Sequence, residues 1–347
     1  MDPLSQAALG GAVGGLVAGR RLGVGRALAW GALAGALPDI DLLANVADDS
    51  FFNLRHHRGL THALWFGPVV GPPLGWLLWQ CYRRTRPDPG WQPWVGLMVV
   101  ALLSHPLLDL FTHYGTQLLT PFSDQRFALP AIPAVDPLYT LILLLGLGSA
   151  LLRPRSLKSA LRACLVLSTS YLALGLLCNA RVETHLRAQL AEQGLAVERL
   201  GVFPTFLQLP LRRVVVISQG EVRVSFASAW RACPIEWGPV GHAPSAPQLA
   251  SLLQSHQGRT FAWFTNHWLS VTPTDSGGHR YNDLRFGFSR DPGQGLWSVT
   301  VGASDGQAVP VYRNHRPSLD WQVITELFRA GFPSGCEPWL GREHPLS

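Results

Sequence analysis

The sequence predicts an α-helical polytopic membrane bundle of about six helices over residues 1–180, then a small β-rich (α+β) extracytoplasmic domain over 181–347. Three observations predict it. Hydrophobic residues make up 47% of the 347 residues and charged ones only 14%, a balance that suits a membrane protein better than a soluble one. Charge-free apolar stretches recur through the first half. After Arg181 the pattern changes to β-branched and aromatic runs separated by Gly/Pro turns.

The first helix is expected from Pro3 to Gly19. Gly10, Gly11, Gly14, Gly15 and Gly19 give small-xxx-small spacings, repeated by Gly31 and Gly35 in the next segment, and such surfaces let two membrane helices approach closely. Asp2 stands where a signal peptide carries positive charge, and Arg20 and Arg21 follow the apolar run, so the segment reads as a retained helix. The second helix spans about 26–43 and ends in Asp39 and Asp41, and 44–56 reads as a polar loop. A third helix at 63–82 contains Pro68, Pro72 and Pro73, which should kink it. A fourth covers about 91–111, a fifth 138–152 and a sixth 162–180.

Beyond these, 181–199 reads as a polar helix leaving the membrane. The runs at 214–228, 260–273, 282–289 and 295–303 read as strands, closed by a helix at about 319–330. Trp263, Trp268, Trp297 and Trp321 read as core. His242, His256, His267, His279 and His315 show no ligand spacing and read as surface or local structural residues.

The net charge of +6 is spread without a Lys/Arg-rich run, so no nucleic-acid partner is expected. Basic residues between the helices are unevenly placed. Arg20, Arg21 and Arg26, then Arg83, Arg84 and Arg86, then Arg153, Arg155, Lys158 and Arg162 follow the first, third and fifth helices; only Arg55, Arg58 and Arg126 follow the second and fourth. The arginine-rich side is therefore expected to be cytoplasmic, which places everything after the sixth helix on the periplasmic or extracellular side. The five cysteines show no CxxC spacing; Cys81, Cys164 and Cys178 read as packing residues, and Cys233 and Cys336 could pair in an extracytoplasmic domain.

Three motifs carry chemistry: LPDIDLL at 37–43, HHRGLTH at 56–62 and SHPLLDLFTH at 104–113. Ionisable groups at membrane depth are costly and usually mark function. His105, Asp109 and His113 at i, i+4 and i+8 would line one helix face. A lone intramembrane histidine is more often a packing residue than a ligand. Yet Asp39, Asp41, His57, His62, His105 and Asp109 all map to one leaflet under a topology drawn from the arginines alone. Imidazole and carboxylate without thiolate suit a divalent ion, zinc first, with manganese or iron as alternatives. Six donors serve two ions bridged by a carboxylate, or one ion with carboxylates orienting its histidines. Arg58 either holds a substrate anion or pairs with Asp39 or Asp41. His56 and His113 are the spare groups for protonating a leaving oxygen, though His56 also reads as a solvated loop residue. Thr61, before an apolar run, is expected to cap the third helix.

PDID, then HRGLTH with an apolar helix after it, then SHPLLDLFTHYGTQLLTPFS at 104–123, resembles the YdjM-type membrane-bound metal-dependent hydrolases of bacteria. The resemblance is close over about 37–130 and says little about 200–347. It implies a multi-pass protein of the bacterial inner membrane with a hydrolase site on Asp39, Asp41, His57, His62, His105 and Asp109. A more distant similarity, to zinc-dependent phospholipase C and P1-type nucleases, implies phosphoester or lipid-linked substrates. A metal carrier would continue its polar residues toward the cytoplasmic face, whereas here they cluster at one end.

Overall fold

A computed structural model describes residues 1–44, 50–84, 88–275, 277–302, 311–314 and 321–336. Arg86 and His315, and the side chain of Trp321, lie outside the described residues. The chain divides into two compact units, Met1–Asp48 with His56–Leu174, and Asp49–Arg55 with Gly175–Ser347.

The first unit is helical. Helix α1 (Pro3–Leu22) starts on Asp2, whose carboxylate accepts from the Ser5 N–H, and α2 (Val24–Ala36) returns against it. A Cβ on Gly10 would sit 2.4 Å from the Gly31 carbonyl oxygen, and one on Gly35 2.6 Å from that of Gln6. The two backbones therefore touch, as the small-residue spacing anticipates. The chain then tightens into a 3-10 segment, Leu37–Ala44, which carries Asp39 and Asp41. A second short 3-10 turn, Leu60–His62, precedes α4 (Phe66–Tyr82), which has Pro72 and Pro73 inside it. Helix α5 (Gln92–Asp109) is the buried one: Trp94, Leu97, Met98, Ala101 and Leu102 pack with Ala18, Leu22, Ala27 and Ala34 of α1 and α2 and the turn between them. Helix α6 (Pro137–Leu152) follows the proline-rich loop.

Among the described residues, two stretches are long and apolar enough to cross a membrane, Val24–Ala44 and Pro154–Glu192, against the six expected. Glycines dilute the apolar character of α1, and α4 and α6 have only 17 and 16 residues. The polar loop expected at 44–56 is partly a helix, α3 (Ser50–His56), whose Arg55 guanidinium lies 4.4 Å over the Trp263 ring; 45–49 lie outside the described residues.

One continuous helix, α7 (Leu157–Glu192), covers both the sixth apolar helix and the first half of the polar helix expected after it. In the second unit it packs Val182, Leu186 and Leu190 against Val214 and Val216. The described strands form one curled antiparallel sheet in sequential order. They are β1 (Arg199–Pro204), β2 (Leu211–Ser218), β3 (Glu221–Ser228), β4 (Gly241–His242), β5 (Leu269–Pro273), β6 (His279–Asp283), β7 (Trp297–Val301) and β8 (Val311–Asn314). Val215 and Ile217 face a second core with Phe203, Val222, Val224 and Trp268, so both faces of β2 are buried. That explains its unbroken VVVI run.

Three strand expectations are corrected: 282–289 is strand only at Asn282 and Asp283, the end of β6, and two longer runs also change. The run 214–228 is two strands, because Gln219 and Gly220 both take positive φ (50° and 77°) and close a two-residue hairpin. The run 260–273 is a strand only in its second part. Its first part belongs to α9 (His256–Phe264), started by the Ser255 side chain accepting from the Gly258 N–H and preceded by α8 (Ala246–Leu253). The final helix is α10 (Trp321–Gly331), and Cys233 and Cys336 form a disulfide.

Candidate metal centre

The close approach of α1 and α2 sets the floor of the site. It brings the Gly35 carbonyl against α5, where it accepts from His105 Nδ1 at 2.6 Å. From α1, Gln6 donates to Asp109 Oδ1 at 3.0 Å and to the His105 carbonyl at 3.2 Å. The Met1 α-amino group also hydrogen-bonds Asp109 Oδ1.

Four donor atoms converge above this floor: His62 Nε2, His105 Nε2, Asp39 Oδ1 and Asp109 Oδ2. The imidazole nitrogens are 2.9 Å apart. Asp39 Oδ1 lies 3.5 Å from His62 Nε2 and 3.3 Å from His105 Nε2. Asp109 Oδ2 lies 3.4 Å from His62 Nε2 and 3.6 Å from His105 Nε2. A tetrahedral ion with bonds of about 2.0–2.1 Å has ligand-to-ligand edges of about 3.3–3.4 Å, and the separations that involve an imidazole scatter about that length. The side chains of His62, His105 and Asp109 are fully buried, whereas Asp39 is 15% exposed and forms the solvent side.

Hydrogen bonding fixes which ring nitrogen is free. A carbonyl can only accept, so His105 Nδ1 carries the proton and Nε2 a lone pair. Thr61 Oγ1 donates to Asp41 Oδ2 at 3.0 Å and accepts from His62 Nδ1 at 3.0 Å. The His62 Nε2 lone pair therefore also points inward. Two lone pairs 2.9 Å apart repel unless a cation sits between them. In the absence of metal a proton plays that part: burial by itself depresses the His62 imidazole, but Asp109, Asp39 and Asp41 outweigh it and push its pKa up to about 10. The donor set thus fits a small divalent ion.

Asp41 stands behind His62. Its Oδ1 accepts from His57 Nδ1 at 2.9 Å, and Oδ2 accepts from the Arg58 backbone N–H at 3.1 Å and lies 3.3 Å from His62 Nδ1. Both oxygens serve to orient ligands, the usual task of a carboxylate behind a metal-binding histidine. His57 groups with Asp39 and His62, with donor atoms within 4.8 Å of one another. Burial lowers its pKa, opposed by the bond to Asp41. His62 is common to this group and to the group His62, His105 and Asp109.

Arg58 takes up a position the sequence did not offer. Its buried guanidinium pairs with Asp109, Nε to Oδ2 at 3.2 Å, and donates to Thr112 Oγ1 at 2.7 Å while lying 4.6 Å over the Tyr114 ring. It pairs with neither Asp39 nor Asp41. Its backbone φ of 63° aims the side chain back toward α5. His113 is buried but leaves the expected i, i+4, i+8 face, since α5 stops at Asp109 and the Leu108 and Asp109 carbonyls accept from the Phe111 and Thr112 N–H groups in tight turns. His56 is exposed at the end of α3. Thr61 does not cap α4, whose N-cap is Trp65; its hydroxyl links Asp41 to His62. Sequence reasoning missed this link and Gln6, although a lone amide in a glycine-rich apolar helix is a readable signal.

A family model described as YdjM inner membrane protein matches residues 1–182. The uncharacterized protein YfhP of Bacillus subtilis (strain 168) is 33% identical over 146 residues, 40% of this chain and 42% of that protein. Inner membrane protein YbcI of Escherichia coli (strain K12) is 36% identical over 107 residues, 30% of this chain and 59% of that protein. The matched parts thus cover about half the length of these relatives. No solved structure matches the chain.

Proposed function

The chain belongs to the YdjM inner membrane protein family, and from that premise we propose that its N-terminal unit is a membrane-embedded metal-dependent hydrolase acting on a phosphoester or lipid-linked substrate at the outer face of the inner membrane. One observation carries the reading: His62, His105 and Asp109 bring buried donor atoms within 4.8 Å of one another, Asp39 Oδ1 lies 3.3 Å and 3.5 Å from the two imidazoles, and hydrogen bonding sets both histidine tautomers so that their lone pairs converge. Zinc is the ion this donor set favours, with manganese or iron next. When bound, such an ion acidifies a water molecule from a pKa of 15.7 to about 7 and polarises a phosphoryl oxygen.

The residues of the chain supply the rest. His105 and Asp109 give rigidity, one helical turn apart on the buried α5. Asp41 and Thr61 hold the His62 tautomer. Asp39, on the solvent side, borders the path by which water and substrate enter. His57 and Asp39, grouped with His62, provide donors for a second ion. His56 and His113 are the candidates for protonating a leaving oxygen. The six apolar helices α1, α2, α4, α5, α6 and α7 form the membrane bundle in this reading. The basic residues after α1, α4 and α6 and the disulfide of the C-terminal unit support its placement outside the cytoplasm.

A second reading, non-catalytic metal binding in a sensor or carrier, is favoured by the number of donors: Asp39 beside His62, His105 and Asp109 is enough to fill four positions, whereas catalytic zinc keeps a position for water. The test is metal quantification of purified wild type and His105→Ala, beside a panel of phosphodiester and phospholipid substrates. Metal and hydrolysis lost together in His105→Ala support the enzyme. Metal without turnover of any substrate supports the sensor or carrier, and wild type without metal removes both.

A further inference from the structure

The second unit holds a cavity of about 740 Å³ whose lining includes no residue of the histidine cluster. Its wall carries Arg181, Arg231, Arg290 and Arg329 against a single carboxylate, Glu236. Only Arg290 approaches that carboxylate, at 3.7 Å; among the described residues, Arg181, Arg231 and Arg329 have no acidic partner. Arg181, Arg231 and Arg329 are exposed and Arg290 is half-buried, so solvent screens their mutual repulsion, and the four forks remain available to an anion with several acceptor oxygens.

Two further features say what carries the anion. Arg181 is the first charged residue of α7 after Arg162, so it stands where the apolar part of the helix ends. That is the depth of lipid phosphates if α7 crosses the membrane. Beside the cavity, Trp230 is 69% exposed and Phe332 51% exposed, with ring centroids 5.9 Å apart, and Phe332 lines the cavity itself. Large exposed aromatics next to arginines are what a membrane-interface surface uses to seat acyl chains below bound headgroups. The wall is braced by the Cys233–Cys336 disulfide, by His185 Nε2 donating to the Cys233 carbonyl at 2.9 Å, and by Ser228 Oγ donating to the Gly331 carbonyl at 2.6 Å. The arginines on α7, on the segment after β3 and on α10 are thereby held around one space.

We propose that this cavity binds the phosphate headgroup of an anionic lipid. The experiment is native mass spectrometry of the full-length, disulfide-intact protein in detergent, titrated with dihexanoyl phosphatidylglycerol or dihexanoyl phosphatidylcholine, and with inorganic phosphate as competitor. Phosphatidylglycerol should bind more tightly than phosphatidylcholine. Arg231→Gln with Arg329→Gln should weaken phosphatidylglycerol roughly tenfold or more, since each loses a charge-assisted contact. Glu236→Gln should tighten it, a gain that misfolding cannot imitate. Bound zinc should be the same in all three proteins. Equal binding of the two lipids, or undiminished phosphatidylglycerol binding in the double variant, would overturn the proposal. Displacement of the lipid by an equal concentration of inorganic phosphate would overturn the lipid as source and leave a free-anion site.

Discussion

Arg58 Nε lies 3.2 Å from Asp109 Oδ2, the same oxygen that stands 3.4 Å from His62 Nε2. A buried guanidinium thus shares a carboxylate oxygen with the proposed ion. Without metal, the buried cations paired with Asp109 are the Arg58 guanidinium and the Met1 α-amino group. Removing one partner of a buried pair leaves the other uncompensated, at a cost of about 3–5 kcal/mol. Arg58→Met should therefore lower the unfolding midpoint of the metal-free protein markedly and that of the zinc-loaded protein much less, because the ion can then take over the charge. Thermal unfolding in detergent, with zinc or with a chelator, checks it. An equal loss in both states would mean that Arg58 does not balance Asp109.

Asp39 and Asp41 are two residues apart and should behave differently. Asp39 offers an oxygen to the converging set, whereas both oxygens of Asp41 are engaged with His57, the Arg58 N–H, Thr61 and His62. Asp41→Asn is expected to weaken zinc binding by about 10–100-fold, the usual range for a residue that orients a ligand. Asp39→Asn is expected to weaken it further. Chelator-competition titrations decide the ranking; a reversed order would put Asp41 on the metal and Asp39 behind it.

That distinction shows how far the site could be read from the chain alone. PDID announces two carboxylates on one tight turn, and the one-residue spacing makes them look equivalent. Their roles separate only because the 3-10 backbone of Leu37–Ala44 turns Asp39 toward His105 and Asp41 toward Thr61. That depends on packing between segments far apart in sequence. The same limit applies to Arg58, whose left-handed backbone sends it to α5. Among the elements, the glycine spacing of α1 and α2 was legible because close helix contact needs small residues at that repeat. The stretch 260–264 was not: its β-branched and aromatic residues favour a strand, but Ser255 caps the preceding turn and Phe261 and Phe264 fall on a buried helical face.

The His62 imidazole gives a pH dependence with a definite sign. Its pKa is raised from 6.5 to about 10 in the metal-free fold. A raised folded-state pKa contributes stability that is complete below 6.5 and is lost as pH rises toward about 10. The chelated protein should lose thermal stability across that window, and the zinc-loaded protein should not, since the ion replaces the proton. By the same exchange, zinc uptake should release about one proton from His62, so that affinity rises roughly tenfold per pH unit below that pKa. Calorimetry in buffers of different ionisation enthalpy measures the proton directly. Uptake without proton release would show that His62 is already neutral.

The last prediction concerns the side of the membrane on which the second unit lies. Ten basic residues lie in the last turn of α1 or in the stretches that follow α1, α4 and α6, against three in the stretches that follow α2 and α5, so the chain after α7 should be exported. The Cys233–Cys336 disulfide closes a loop of sequence separation 103 and persists only in an oxidising compartment. A loop of that size contributes about 4–5 kcal/mol in the chain-entropy estimate, so the fold of this unit has a stake in its location. A reporter that works only when exported should be active when fused after Ala180, and one that works only in the cytoplasm should be active at Arg84. In intact cells, thiol alkylation of Cys233 and Cys336 should require prior reduction. A Cys233→Ser, Cys336→Ser protein should retain its zinc yet unfold its C-terminal unit at a lower temperature. Free, alkylatable thiols at both positions in cells, together with a C-terminal unit digested only from the cytoplasmic face, would reverse the topology and place the metal centre on the inner leaflet.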